Sequence, residues 1–160
     1  MIYTQVIIHQ NSFYIGIDQI GITFIGSPNG DKEEIKKWFK DVTYVSESHQ
    51  ITEIKKQLTS YFNKEATSID IPIHMIGTDF QKEVWSILLE ISYGETKSYL
   101  DIANKLNNPK KVRAVARAIA KNPLLMIVPC HRVIGSNGNL TGYRAGLEFK
   151  KELLTLESLK

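Results

Sequence analysis

The sequence predicts a two-part chain, an α/β unit over residues 1–75 followed by a mainly α-helical unit over 76–160 that carries a helix-turn-helix. Three observations lead there. The first third clusters β-branched and aromatic residues between turn signals, as strands do. From Thr78 onward, apolar residues recur at helical spacing. Between two short helical stretches sits Asn107-Asn108-Pro109, a tight break of the helix-turn-helix kind. With 160 residues, 42% of them hydrophobic and 23% charged, the chain can bury one large core or two small ones.

Taken in order, Thr4–His9, Phe13–Ile17 and Gly21–Ile25 are the expected strands. Ser27-Pro28-Asn29-Gly30-Asp31 is a loop, and Asp31 caps a helix expected to run through Trp38 and Phe39. A second helix is expected over Gln50–Asn63, where Ile54, Leu58, Tyr61 and Phe62 share a face. Pro72 to Gly77 forms the junction. Thr78 or Asp79 then caps a helix with Phe80, Val84, Ile87, Leu88 and Ile91 on its apolar side. Ser98–Leu106 and Lys110–Ala120 are the two helices of the helix-turn-helix. A C-terminal helix follows Gly142 with Leu147, Phe149, Leu153, Leu154 and Leu156, and ends in Glu157-Ser158-Leu159-Lys160.

The second helix of the pair divides into faces. Val112, Val115, Ala116 and Ile119 point to the core, and Lys110, Arg113, Arg117 and Lys121 form a basic stripe opposite. Between them lie Ala114, Ala118 and Ala120, small enough to let a partner approach the backbone. Charge supports this. Residues 1–77 carry 9 acids against 7 Lys/Arg, whereas 78–160 carry 8 against 13. No Asp or Glu occurs from Ile102 to Leu147. A basic, acid-free stretch is the footprint of a polyanion partner.

The single cysteine, Cys130, stands in Val128-Pro129-Cys130-His131-Arg132-Val133 after an apolar run. A thiol beside an imidazole and a guanidinium is placed for nucleophilic chemistry. In an extended segment adjacent side chains point apart, so a bridging water or a local turn is the expected link between Cys130 and His131. Pro129 is expected to turn the segment sharply out of the core and present the sulfur to a pocket. His131 needs a carboxylate partner, and Glu148, Glu152 and Glu157 are nearest in sequence; spacing does not choose among them. One cysteine excludes an internal disulfide and a Cys-based zinc site, and a free thiol fits a reducing cytoplasm. No apolar window long enough for a membrane span and no basic, apolar leader is found at Met1, so no membrane association is expected. His9, His49 and His74 are scattered through the first unit and read as ordinary surface or core residues.

Several stretches together, namely Asn122-Pro123, Ile127 to Ile134 around Pro129-Cys130-His131-Arg132, Gly138 to Tyr143, and Ala145-Gly146-Leu147, closely resemble the O6-alkylguanine-DNA alkyltransferases, the methylated-DNA–protein-cysteine methyltransferases. The resemblance extends back through Gly94-Glu95-Thr96-Lys97-Ser98-Tyr99 and covers roughly residues 78–157. It implies a ribonuclease H-like first domain, a winged-helix-like second domain, and no cofactor or metal. Cys130 would accept an alkyl group from O6 of guanine, with O4-alkylthymine left open as a second substrate. Glu157 would bond to His131, which deprotonates Cys130 through a water. Asn122 would support the turn, Tyr99 would donate to the departing guanine, and Arg113 would enter the base stack. Ala114, Lys110, Arg117 and Lys121 would meet DNA, and Tyr143 with the backbone at Val133 and Arg144 would line the pocket. The implied partner is double-stranded DNA, bound through the minor groove without sequence preference by a monomer, with the damaged base flipped out. Arg144-Ala145-Gly146 departs from the resembled family, many of whose members carry a smaller residue and a glycine pair, so Arg144 is expected to narrow the pocket or reach a phosphate.

Three other readings compete: a non-enzymatic helix-turn-helix protein, a cysteine hydrolase using Cys-His-Glu, and an ordinary regulator with a packing cysteine, for which the Pro129-Cys130-His131-Arg132 motif leaves little room. Retention of Cys130 argues against the first. Repeated turnover would mark the second.

Overall fold

The computed structural model describes residues 1–158 and divides after Met75 into two compact units. In the first, β1 (Ile2–Ile8), β2 (Asn11–Ile17), β3 (Ile22–Ile25) and β4 (Thr43–Tyr44) form one sheet in the order β3-β2-β1-β4. The first three strands are antiparallel neighbours, and β4 runs parallel to β1. The β1–β2 hairpin turns on His9 and Gln10, both at positive φ (50° and 70°). Asn-Gly is the common signal for that geometry, so the turn carried no recognisable sequence mark.

The helix expected after Asp31 is a short 3-10 helix, Lys32–Lys37, about two turns long, rather than a helix through Phe39. Asp31 does cap it, accepting from the Glu33 amide, but Trp38 and Phe39 both return their N–H groups to Ile35. Helix α1 (His49–Phe62) then lays Ile51, Ile54, Leu58 and Tyr61 into the core and lies against β1. Phe13, Ile15, Phe24, Ile54 and Leu58 are all fully buried. Ile73 makes a parallel bridge to Ile22, strapping the outgoing segment along β3.

The second unit begins with α2 (Asp79–Leu88), opened by a capping box in which Thr78 and Gln81 satisfy each other's amides. Its buried face is not centred where the periodicity placed it. Trp85 is the largest buried side chain, donating its indole N–H to the Ala118 carbonyl at 2.8 Å, while Phe80 and Ile87 are only half-buried. A second capping box, Ser98 with Asp101, opens α3 (Tyr99–Lys105). Asn107 takes a left-handed conformation (φ 59°), and Pro109–Lys111 is a 3-10 turn, so α4 (Val112–Ala120) starts two residues later than expected. The parallel pair β5 (Lys97–Ser98) with β6 (Val133–Ile134) had no sequence signature, since two-residue strands are too short for periodicity. Helix α5 (Leu147–Ser158) closes the described chain. Leu159 and Lys160, expected to end that helix, lie outside the described residues. No helix among the described residues is long and apolar enough to cross a membrane.

Candidate active site

The segment from Leu124 to Val133 is buried throughout, and one side chain closes it into a loop. Asn122, itself 1% exposed, accepts from the Leu124 amide at 2.9 Å and donates to the Val128 carbonyl at 2.9 Å. Within that loop Met126 sits at φ 71°, a conformation that side-chain-bearing residues adopt at a cost. The Asn122 clamp is what offsets it. Immediately after, Cys130–Arg132 forms a buried 3-10 turn rather than the extended strand that would have thrown Cys130 and His131 to opposite faces. The expectation that Pro129 drives the sulfur out of the core is also corrected: Cys130 is only 4% exposed. The polar loop closure is internal, so the chain can turn sharply without leaving the core.

Glu157 comes from α5 to meet this turn; Glu148 and Glu152 face solvent. His131 Nε2 donates to Glu157 Oε2 at 2.7 Å. Arg132 grips the same carboxylate with two nitrogens, Nε to Oε1 at 2.8 Å and Nη2 to Oε2 at 2.9 Å, and donates Nη1 to the Ile91 carbonyl at 2.7 Å. His131 is 0% and Glu157 1% exposed, so the pair is shielded from water. A carboxylate only accepts, so Nε2 carries the ring proton and Nδ1 is left with a lone pair. Among the described residues, nothing hydrogen-bonds to that buried Nδ1.

Electrostatics follow from burial. Burial pushes the Cys130 thiol up, opposed by a hydrogen bond from Asn122 and by the positive charges of Arg144 and Lys150. Burial holds the His131 imidazole below its ordinary value, opposed by the hydrogen bond and charge of Glu157. Burial thus favours the neutral imidazole, and a carboxylate at 2.7 Å is placed where it could stabilise an imidazolium.

Lys150 was absent from the sequence reading. It is 1% exposed on α5 and donates to the Val133 carbonyl at 2.6 Å and the Thr141 carbonyl at 2.9 Å. Burial lowers its ammonium, opposed by the charge on Cys130. A signal was present: Lys150, Leu153 and Glu157 recur at helical spacing, so they share the buried face. Arg132, seen in the sequence only as a neighbouring charge, is the other omission.

Of the remaining candidates, Val133 is fully buried, with its N–H on the Cys130 carbonyl and its own carbonyl on Lys150. Arg144 donates Nη2 to the Asn122 carbonyl at 3.1 Å, bringing the 143–146 loop onto the same support. Tyr143 lies tilted against Phe149 with ring centroids 6.5 Å apart. Gly146 ends that loop at φ 93°, where glycine alone is unstrained. Half-buried Tyr99 receives a hydrogen bond from the Thr141 hydroxyl at 3.0 Å.

On α4 and the turn before it, Lys110, Arg113, Arg117 and Lys121 are all exposed, and Ala114 is half-buried. Ala118 is not part of that surface. It is 3% exposed because it shares the core stripe with Val115 and Ile119, and Val112 and Ala116 are only half-buried. Among the described residues no group of three or more His, Cys, Asp or Glu is placed to hold a metal ion.

Comparison with known proteins gives the same picture. Residues 79–159 match the family described as 6-O-methylguanine DNA methyltransferase, DNA binding domain. An inducible methylated-DNA–protein-cysteine methyltransferase of Bacillus subtilis is 45% identical over 150 residues, spanning 91% of this chain and 84% of the relative. One from Methanosarcina acetivorans is 44% identical over 142 residues, 88% and 87% of the two chains. Among solved structures, Mycobacterium tuberculosis OGT in complex with DNA superposes with a TM-score of 0.86 at 35% identity, over 99% of this chain and 93% of that one. An O6-methylguanine DNA methyltransferase from Methanococcus jannaschii gives 0.71 at 30% identity, over 98% and 93%. With a mixed sheet in its first unit, helices in its second, and the Cys130 turn packed against α2 and α5, the chain belongs to the methylated-DNA–protein-cysteine methyltransferase family.

Proposed function

We propose that this protein repairs alkylated DNA by direct reversal, moving the alkyl group from O6 of guanine to Cys130 once and irreversibly. The observation that carries this is the buried His131–Glu157 pair immediately beside the chain's only thiol. In the proposed reaction a water between Sγ and the unpartnered Nδ1 of His131 carries the thiol proton to the imidazole. Glu157, locked by Arg132, stabilises the imidazolium. The thiolate attacks the alkyl carbon in line with O6; the S–C bond forms as the C–O6 bond breaks. The electron pair passes into guanine, and Tyr99 supplies a proton to the base. Lys150 and Arg144 lend positive charge to the thiolate before attack. Val133, its carbonyl sharing Lys150, and Tyr143 would border the base. The product thioether has no carbonyl for water to attack, and no second cysteine exists to exchange with it.

DNA is the proposed partner, bound through the minor groove without sequence preference by a monomer. An alkyl carbon inside the duplex is closed to in-line attack, so the nucleotide must flip out, which costs a few kcal/mol. Arg113, exposed on α4, would fill the vacated stack, and Lys110, Arg117 and Lys121 would hold phosphates. Ala114 lets the helix approach closely. On this reading residues 76–160 are a winged-helix-like DNA-binding and alkyl-acceptor domain. The sheet order, with β4 parallel to β1, supports a ribonuclease H-like description of residues 1–75. A reducing cytoplasm suits a protein that works through a free thiol.

Intact-protein mass spectrometry after incubation with O6-methylguanine duplex DNA tests the proposal. One methyl mass on Cys130, absent in Cys130→Ser, is expected. No mass shift on a folded sample would overturn it.

A further inference from the structure

The Tyr99 hydroxyl has a fixed partner. It accepts a hydrogen bond from Thr141 Oγ1 at 3.0 Å. Thr141 is exposed, but its backbone is anchored: its carbonyl takes the buried Lys150 ammonium at 2.9 Å, and the same ammonium holds the Val133 carbonyl at 2.6 Å. Lys150 therefore ties the strand that follows Cys130 to the loop that bears Thr141. From the ammonium a continuous chain runs through the Thr141 backbone and hydroxyl to the Tyr99 phenol.

A phenol has one proton to give and lone pairs to accept with. Because Thr141 donates, the bond occupies a lone pair of Tyr99 and leaves the phenolic proton for another acceptor. As that proton departs, negative charge builds on the phenol oxygen, and a donor already aimed at that oxygen stabilises the charge. Donors to a developing oxyanion act in the transition state more than in the ground state, which makes them count in rate rather than in binding.

We propose that Thr141, anchored by Lys150, is a positioning residue for Tyr99 as the acid that protonates the departing guanine. This deepens the alkyl-transfer reading and rests on it. The proton balance closes. The thiol proton goes to His131, the phenol proton goes to the guanine ring nitrogen as the C–O6 bond breaks, and the tyrosinate held by Thr141 regains a proton released by His131 through solvent. The net change is one proton moved from sulfur to guanine.

Single-turnover rates at saturating DNA test this, on duplexes bearing O6-methylguanine or O6-methyl-8-azaguanine. The extra ring nitrogen makes the second base a better leaving group, less in need of a proton. Thr141→Val is expected to slow transfer from O6-methylguanine about tenfold, the effect of losing a hydrogen bond to a charged group. On the aza base the loss should shrink to roughly twofold. Thr141→Ser should react like the parent protein, and DNA affinity should be unchanged in both variants. Equal losses on the two bases, no loss on either, or a Ser variant as slow as Val would overturn the positioning role while leaving alkyl transfer intact. Failure of the parent protein to react with either base would instead overturn the alkyl-transfer reading itself.

Discussion

Replacing Glu157 by Gln separates what holds the site together from what makes it react. The carboxylate, 1% exposed, receives His131 at 2.7 Å and two Arg132 nitrogens at 2.8 and 2.9 Å. Glutamine keeps the volume but removes the charge, and its NH2 would confront either the imidazole N–H or the guanidinium. Breaking a buried ion pair from one side costs about 3–5 kcal/mol, because the other charge is left uncompensated. Arg132→Met from the other side should cost a similar amount. In the double variant no stranded charge remains, so the losses should not add. The expected net cost falls to about 1–2 kcal/mol, largely the Ile91 carbonyl that Arg132 no longer reaches. Activity should behave differently. Without the carboxylate, His131 loses the group that stabilises its protonated form, and the transfer rate should fall about 10²–10⁴-fold in both Glu157→Gln and the double variant. Urea unfolding and single-turnover transfer of a labelled methyl group read the two effects separately. Additive stability losses, or a double variant that recovers activity along with stability, would refute the reasoning.

Three further outcomes are expected. Asn122→Ala should destabilise the chain by about 2–4 kcal/mol in urea unfolding, since it frees a buried amide and carbonyl at 2.9 Å and unclamps Met126; a loss under about 1 kcal/mol would contradict that role. Because burial holds His131 below its ordinary value, the unfolded chain binds a proton there near pH 6.5 while the folded chain resists it. The stability this group contributes is thus present above about pH 6.5 and lost as pH falls below it, and His131→Asn should flatten that part of the unfolding profile. Arg113→Ala should slow transfer from duplex DNA about 10–100-fold while leaving transfer from the free O6-alkylguanine base nearly unchanged, an equal loss on both counting against a role in base extrusion.

Much of the fold was legible because its helices announce themselves. Thr78 is one of the two caps the sequence offers for α2, and the structure selects it with Gln81 as its partner; the Ser98–Asp101 box at α3 is seen only in the structure. What escaped was geometry without periodicity: a hairpin turning on His9 and Gln10, two-residue strands at Lys97 and Val133, and the burial of Cys130, whose 3-10 turn is the local turn that was one of the two expected links to His131. The site divides the same way. Cys130, His131 and Arg132 are adjacent and visible, whereas Glu157 lies 26 residues from His131 and only the return of α5 selects it over Glu148 and Glu152. Lys150 was passed over because a lysine on a helix is ordinarily solvated. Its spacing with Leu153 and Glu157 marks the buried face of α5, but the Val133 and Thr141 carbonyls that receive its ammonium are visible only in the fold. Ala118 erred in the other direction, since a small residue in a basic stretch gives no sign that its carbonyl is reserved for Trp85.

The central claim is that Cys130 is consumed by the reaction it performs. Titrating a fixed amount of protein with a large excess of O6-methylguanine DNA, and counting methyl groups moved over time, tests it most directly. The account predicts a single burst that stops at one methyl per protein molecule, all of it on Cys130. Continued transfer beyond one equivalent, or a thiol that still reacts after the burst, would contradict it.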